Sequence, residues 1–469
     1  MTPSCRFPLL AGGTAPDWFP SRSGGNQRRG AIVDGRLVQM AMSRYLLKNG
    51  RLLDPSQSLD VRGDLRLREG RIAEIGDALA PEAGETVMDC TGCWVAPGLV
   101  DIHVHLRDLG QSYKETLQTG GAAAVAGGFT SVCCMPNTEP PLDSPTLVRE
   151  VYARAQRESP CRVYVVAALT QGMRGETPCD YHALKQAGAV ACSDDAFPVQ
   201  SAEVMRRAML GCAAYGLPVV THCEDKSLSD GASMHAGTVS ARLGLKGAPA
   251  SAETVQIARN ALLAHETGCH LHVQHLSTAV GVALVRFFKG LGVRLTTEVA
   301  PHHLLLTDEA CAGFDTDAKM NPPLRTDADR EALTQGVLEG VIDCIATDHA
   351  PHAPFEKAQP FPSAPFGIVG LETALGCILH WNRQLPQPLE PLQLVNLMST
   401  APARLMGLPA GTLQVGAPAD VVVIDPDLRW QVDATQFRSR SRNTPFNGWE
   451  LVGKARYTFV GGALVYRGD

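Results

Sequence analysis

From residue 95 onward, short apolar runs alternate with longer stretches in which apolar residues recur every three or four positions. The runs lie at 99–103, 130–135, 163–168, 189–192, 218–221, 271–274, 294–299 and 342–346. Each has the length of a buried strand. Between most of them the spacing predicts helices, at 144–157, 201–215, 251–267, 278–289 and 327–341. The first four begin with Ser or Thr, whose side-chain oxygen can accept from an orphan N–H of the first turn. Eight strands, usually followed by helices, over roughly 250 residues predict a (β/α)8 TIM barrel. The alternative is a doubly wound open sheet, which gathers its ligands at one crevice instead of around a ring.

The flanks have a different texture. Short strands are predicted at 45–48, 64–67, 71–75 and 86–89, punctuated by Gly50, Gly70 and Gly76. The same texture returns after residue 411, at 419–424 and 455–466. Two β segments around one long middle predict a small β-sandwich-like domain built from both chain ends, 42–94 plus 412–469, beside a barrel at 95–411. Residues 1–41 are rich in Gly, Ser, Arg and Pro without periodicity, as a disordered N-terminal extension is. Met40 and Met42 follow directly and are candidate translation starts beside Met1.

Composition narrows the function classes. The 469 residues are 45% hydrophobic and 19% charged, an ordinary globular balance. A net charge of -6 with no long basic run argues against nucleic acid as a partner. No apolar stretch is long enough to span a bilayer, and the N-terminus lacks the apolar core of a secretory signal. The 14 cysteines are scattered and often sit inside apolar runs, as do Cys133, Cys134, Cys192 and Cys344. That usage fits reduced thiols and a cytoplasmic location. Cys90 and Cys93 form a single Cys-X-X-Cys with no second pair, too little for a metal site.

Catalytic groups of such a barrel sit at the C-terminal strand ends. The first strand ends in Asp101-Ile102-His103-Val104-His105, where alternation puts both histidines on one face, with Arg107 just beyond. The second ends at Asn137, the fourth at Asp194 and Asp195, the fifth at His222, the sixth at His275 and the eighth at Asp348. Singly, each has a bland explanation: a solvated turn, a helix cap, a core histidine. Jointly, four histidines and two carboxylates at matched strand ends supply N and O ligands for two divalent ions, zinc being the best match. Two ions about 3.5–4 Å apart share a water and lower its pKa, and a carboxylate can bridge them with both oxygens. A carboxylate beside that water, Asp348, can take its proton and pass it to a departing nitrogen. Hydrolysis of an amide-like bond follows. Arg107 and Asn137 add a fork and an amide suited to a substrate carboxylate.

At these residues the chain resembles a known family. The run Gly98-Leu-Val-Asp-Ile-His-Val-His-Leu-Arg-Asp108 is similar to the metal signature of the amidohydrolase superfamily in its dihydroorotase form. Met135-Pro-Asn-Thr138, Thr221-His-Cys-Glu-Asp225, Gln274-His-Leu-Ser-Thr278 and Lys319-Met-Asn-Pro-Pro-Leu-Arg325 resemble dihydroorotase motifs in order. So do Ala346-Thr-Asp-His-Ala-Pro-His352, Phe366-Gly-Ile-Val-Gly-Leu-Glu372 and Arg442-Asn-Thr-Pro-Phe-Asn-Gly-Trp449. The resemblance runs from about Tyr45 to the end of the chain.

It implies reversible hydrolysis of dihydroorotate to N-carbamoyl-aspartate in pyrimidine synthesis. By resemblance His103 and His105 bind one zinc, His222 and His275 the other, Asp195 rather than Asp194 bridges them, and Asp348 is the general base near the first. Arg107, Asn137, Asn321 and His352 hold the substrate, and the backbone at Phe366 and Gly367 contacts its ring. The ends of strands three and four offer no lysine, which points to class I enzymes bridged by aspartate and away from hydantoinases and allantoinases, which use a carboxylated lysine. A homo-oligomer is expected, with aspartate carbamoyltransferase as a candidate partner. A further rival is a non-catalytic dihydroorotase-like subunit that scaffolds that transcarbamoylase, but such proteins lose metal ligands and here all are present.

Two positions depart from the family pattern. Asp108-Leu-Gly110 replaces Asp-Pro-Gly, and Ala196 replaces the Gly after the acidic pair, which would strain the loop if that position needs positive φ. Cys223 follows a ligand and has two readings. Strand alternation turns its sulfur into the packing between barrel and helices; if the strand has already ended, the thiolate reaches a zinc and blocks the water position.

Overall fold

The computed structural model describes residues 44–468. The expected extension at 1–41 and the candidate starts Met40 and Met42 lie outside the described residues. Eight strands form one parallel sheet in chain order: Leu99–Val104, Phe129–Cys134, Arg162–Ala168, Ala191–Ser193, Val219–Thr221, Leu271–Val273, Leu295–Val299 and Cys344–Ile345. Between strands and helices runs the main apolar core, which packs Val132, Val165, Val219 and Leu271 with the helix residues Val148, Met209, Ile257 and Val285. The expected barrel is therefore present. Among the described residues, no helix is long and apolar enough to cross a membrane.

The sheet closes between its last and first strands, and there the backbone alone is not enough. Cys344–Ile345 is only two residues long. Near the C-terminal end, Val104 bridges His349, and the His105 N–H donates to the His349 carbonyl at 2.8 Å. Lower down, the Asp101 side chain replaces the missing ladder. Its Oδ1 accepts from the N–H of His103 at 3.1 Å and of Thr347 at 3.2 Å. Asp101 is fully buried, so these backbone donors have no water to turn to.

Strands from both chain ends make a second, mixed sheet. Its pivot is Trp94–Pro97, parallel to Arg44–Asp54 on one side and antiparallel to Val421–Gln431 on the other. Side chains from the two ends share a core of Leu47, Leu65, Val95, Val421, Val423 and Phe459. Cys90 and Cys93 are buried there as free thiols.

Several elements differ from the sequence expectation for identifiable reasons. The single strand expected at 455–466 is a hairpin of Glu450–Val460 and Ala463–Arg467. Gly461 and Gly462 sit at φ +54° and +75°, which a two-residue turn between twisted strands requires and a strand forbids. The first strand does not stop at Lys48 but continues to Asp54 past a register shift between Leu47 and Gly50. Helix Leu117–Ala126 escaped prediction because it is buried nearly all round and shows no amphipathic period. A Cβ on its Gly120 would lie 2.5 Å from Leu106, so the helix packs by backbone approach. Helix Ala374–Gln384 was also not predicted. Ser144, Ser201 and Thr278 are N-caps as expected, whereas Ala250 holds that position before Ser251–Thr267.

Asp101→Ala should cost the fold about 2–4 kcal/mol, because it leaves two buried N–H groups unpaired. Urea unfolding checks this, and a midpoint equal to wild type would show that the seam does not need the carboxylate.

Candidate metal centre and active site

All six predicted ligands converge at the C-terminal ends of the barrel strands. His103 is in the first strand and His105 just past it, their rings edge to face with centroids 5.4 Å apart. Asp195 follows Ala191–Ser193, its N–H donating to Ser193 Oγ at 3.1 Å. His222 follows Val219–Thr221, and His275 lies two residues past Leu271–Val273. Asp348 lies three residues past Cys344–Ile345. The acidic pair is split. Asp194 turns away and accepts from the N–H groups of Leu169 at 2.8 Å and Thr170 at 3.1 Å, and from the Thr170 hydroxyl. Burial pushes Asp194 up to about 6.

Asp195 is left facing the histidines, and it divides them. Its Oδ2 lies 3.6 Å from His103 Nε2 and 3.4 Å from His105 Nε2. Its Oδ1 lies 3.6 Å from His222 Nδ1 and 3.8 Å from His275 Nε2. Asp348 Oδ1 completes the first group, 3.1 Å from His105 Nε2 and 3.4 Å from His103 Nε2. Most of these separations are long for hydrogen bonds. They match a coordination shell: bonds of about 2.0–2.2 Å to a tetrahedral ion set its donors about 3.3–3.6 Å apart. Among the described residues three donor groups come together, His103 with His105 and Asp348, His103 with Asp195 and His275, and His272 with Glu298 and Cys344. His222 Nδ1 approaches His275 Nε2 more closely, at 2.9 Å. Four imidazoles and two carboxylates in this arrangement fit divalent metal.

The electrostatics agree. Burial alone would raise both carboxyls, yet the surrounding imidazoles hold Asp195 and Asp348 well below the usual carboxylate range. Burial would likewise lower His103, but Asp348 and Glu298 keep it well above an ordinary histidine. Burial lowers His105. The donors are thus anionic oxygens and imidazoles that a cation would hold deprotonated.

A second layer orients the ligands. Glu298, on Leu295–Val299, accepts from His103 Nδ1 at 2.6 Å and from His272 Nε2 at 3.1 Å. Burial would raise it, but those two histidines bring it down to about 2. Asn137 Oδ1 meets His105 Nδ1 at 2.8 Å, so the amide oxygen fixes the ring and its Nδ2 is left for a ligand. Glu224 Oε2 meets His222 Nε2 at 2.9 Å and accepts from Asn321 Nδ2 at 3.1 Å. Glu298 and Glu224 were not among the expected site residues. A carboxylate inside the apolar run 294–299 is the signal that could have exposed the first.

Above these six residues opens a cavity of about 770 Å³. His105, Asp195 and Asp348 reach its surface, as do all six expected substrate contacts, Arg107, Asn137, Asn321, His352, Phe366 and Gly367. Arg107 is buried with Nε on the Pro351 carbonyl at 3.2 Å and Nη2 at 3.5 Å from His352 Nε2. Asn443 joins the two sides of this wall, accepting from the His352 N–H at 3.1 Å and donating to the Gly367 carbonyl at 2.9 Å. Lys319 Nζ and Lys357 Nζ donate to carbonyls of residues 361–367 and pin that loop.

At the two departures from the family pattern, neither Leu109 nor Ala196 takes positive φ. Positive φ falls on Arg107, at +58°. The Cys223 thiol lies 3.3 Å from Thr221 Oγ1 and 3.8 Å from Asn260 Nδ2, within the barrel–helix core. The thiolate-block reading of Cys223 is therefore corrected: strand alternation persists two residues past the strand end and turns the sulfur outward.

An eight-stranded parallel barrel with histidine and aspartate ligands at its mouth and an additional β-rich domain defines a metal-dependent cyclic amidohydrolase. The L-hydantoinase (dihydropyrimidinase) from Arthrobacter aurescens superposes with a TM-score of 0.81 at 27% identity, over 91% of this chain and 96% of that one. In sequence, the profile of the Dihydro-orotase-like family matches residues 92–280. The dihydroorotase of Citrifermentans bemidjiense is 46% identical over 422 residues, 90% of this chain and 99% of the relative. That of Pelotomaculum thermopropionicum is 48% identical over 423 residues, 90% of this chain and 98% of the relative. That of Aquifex aeolicus is 43% identical over 427 residues, 91% of this chain and all of the relative. The chain belongs to the dihydroorotase family.

Two variants test the layer assignments. Glu298→Gln should weaken metal binding about 10- to 100-fold, as loss of a partner to a ligating histidine does; chelator competition measures it, and unchanged affinity would remove Glu298 from the support of His103. Cys223→Ser should match wild-type turnover at equal metal content, whereas a gain in rate would place the sulfur in the site after all.

Proposed function

We propose that the chain interconverts (S)-dihydroorotate and N-carbamoyl-L-aspartate, with two zinc ions per chain bridged by Asp195. The observation that carries this reading is the division of labour at Asp195, one oxygen toward His103 and His105 and the other toward His222 and His275, on the floor of a cavity walled by Arg107 and His352. Bound zinc would supply Lewis acidity and an activated water. Asp348 stands at the edge of the His103 and His105 group and reaches the cavity where a substrate would lie. In hydrolysis it takes the water's proton and delivers it to the departing ring nitrogen, and in ring closure it runs the same transfer backward.

The substrate carries a carboxylate on its ring, and the cavity wall is built to receive one. Arg107 offers its terminal nitrogens, Asn137 its free Nδ2, and His352 stands beside Arg107. Asn321 reaches in from the opposite side, and the backbone at Phe366 and Gly367, pinned by Lys319 and Lys357, meets the ring edge. A hydantoin or allantoin has no carboxylate for this set, which separates the reading from that of the hydantoinase neighbours. A scaffolding subunit without catalysis would have no need to keep six converging ligands. Aspartate carbamoyltransferase and a second copy of the chain remain candidate partners of an enzyme acting in the cytoplasm, in de novo pyrimidine biosynthesis.

Assaying the purified protein on dihydroorotate, hydantoin and allantoin while counting metals tests the reading. Dihydroorotate should be turned over, two zinc ions should be found per chain, and chelator should abolish activity. Asp348→Asn should lower turnover by about 10²- to 10⁴-fold while most metal stays bound. Turnover of hydantoin but not dihydroorotate, full activity in metal-free protein, or a near-normal Asp348→Asn would overturn it.

A further inference from the structure

We propose that Glu115 is a positioning residue for Asp348, acting through His349. The inference rests on the reading of Asp348 as the group that moves the proton.

Asp348 has φ +49°, in the left-handed region that a residue with a Cβ avoids. Returning to negative φ would swing its carboxylate off the metal ligands, so its neighbours must hold the turn. On one side, Thr347 N–H is fixed by Asp101. On the other, His349 is held at every polar atom it has. Its N–H donates to Thr347 Oγ1 at 3.0 Å, and its carbonyl accepts from the His105 N–H at 2.8 Å. Its ring Nδ1 accepts from the Gly370 N–H at 3.2 Å and faces that of Leu371 at 3.4 Å. An Nδ1 that accepts leaves the proton on Nε2, and Nε2 points at Glu115 Oε2 at 3.3 Å. Glu115 thus accepts from the tautomer that the Gly370 N–H selects and locks the ring that ends the turn.

Glu115 is itself fully buried and firmly tied. Its Oε2 accepts from the Ser439 hydroxyl, and its Oε1 accepts from the Arg440 N–H at 3.1 Å and from the Thr119 hydroxyl. It belongs to the loop after the first strand that also carries Arg107. Loss of the carboxylate would leave the Ser439, Arg440 and Thr119 donors unpaired as well, so stability alone does not isolate its role. A charged acceptor does something an apolar residue cannot: it fixes the direction of one N–H and, through it, the backbone that aims Asp348.

The test is steady-state kinetics on the zinc-loaded, full-length enzyme. Glu115→Gln and His349→Leu should each lower kcat about 10- to 100-fold, the scale of a misplaced catalytic group, with KM for dihydroorotate within about two-fold and metal content unchanged. Their double variant should be no slower than the slower single, because both break one link. His349→Gln, which keeps a side-chain N–H toward Glu115, should recover most of the rate, and it carries the test if Glu115→Gln does not fold. Ser439→Ala removes a different bond from the same carboxylate and should keep kcat. A rise in KM at constant kcat, wild-type kcat in Glu115→Gln, or an equal loss in Ser439→Ala would overturn the proposal. Failure of the underlying reading looks different: wild type inactive on dihydroorotate, or Asp348→Asn still active.

Discussion

Closure of the barrel between its first and last strands is the constraint on which the site depends. The last strand contributes only two paired residues, so the ring is completed by the Val104–His349 bridge and by the Asp101 carboxylate below it. That closure sets His105 Nε2 3.1 Å from Asp348 Oδ1. Two ligands whose positions are 243 residues apart in the chain are brought together by backbone geometry and one buried side chain. A looser seam would separate His103 and His105 from Asp348. The residues that finish the sheet and the residues of the candidate site are therefore interleaved: Asp101, His103 and His105 on one side, Thr347, Asp348 and His349 on the other.

The second constraint is electrostatic. Four imidazoles and two carboxylates are withdrawn from water at the barrel mouth, a costly arrangement unless each charge has a partner. Each does. Asp195 faces four ring nitrogens, Asp348 faces two, and Glu298 and Glu224 take the far nitrogens of His103 and His222. Such support, with Asn137 on His105, fixes the ring orientation of three of the four histidines. Around the cavity the same logic recurs with backbone partners. Asn443 and two lysines hold the loops that carry His352, Phe366 and Gly367.

Strand order and the gathering of polar residues at the strand ends were legible in the sequence because they rest on short-range pattern, apolar runs, helix caps and two histidines flanking one valine, whereas Asn321, His352, Phe366 and Gly367 were placed at the cavity only by resemblance to the family. What escaped depends on packing between distant segments. Helix Leu117–Ala126 shows no period because it is buried nearly all round, and the 455–466 run shows no break until the positive φ of Gly461 and Gly462 is seen. Asp194 and Asp195 are indistinguishable by residue type; only the N–H groups of Leu169 and Thr170, from another strand end, decide which one turns inward. Glu298, Glu224 and Glu115 matter through partners far away in sequence, and nothing local marks them except a charge where an apolar residue would have been ordinary.

The account turns on one carboxylate holding two ions, one with each oxygen. Crystals of the protein grown with zinc and measured at the zinc absorption edge test it directly. The account predicts two anomalous peaks about 3.5–4 Å apart, one beside Asp195 Oδ2 with His103 and His105, the other beside Oδ1 with His222 and His275. A single peak, or peaks that Asp195 does not touch, would contradict it.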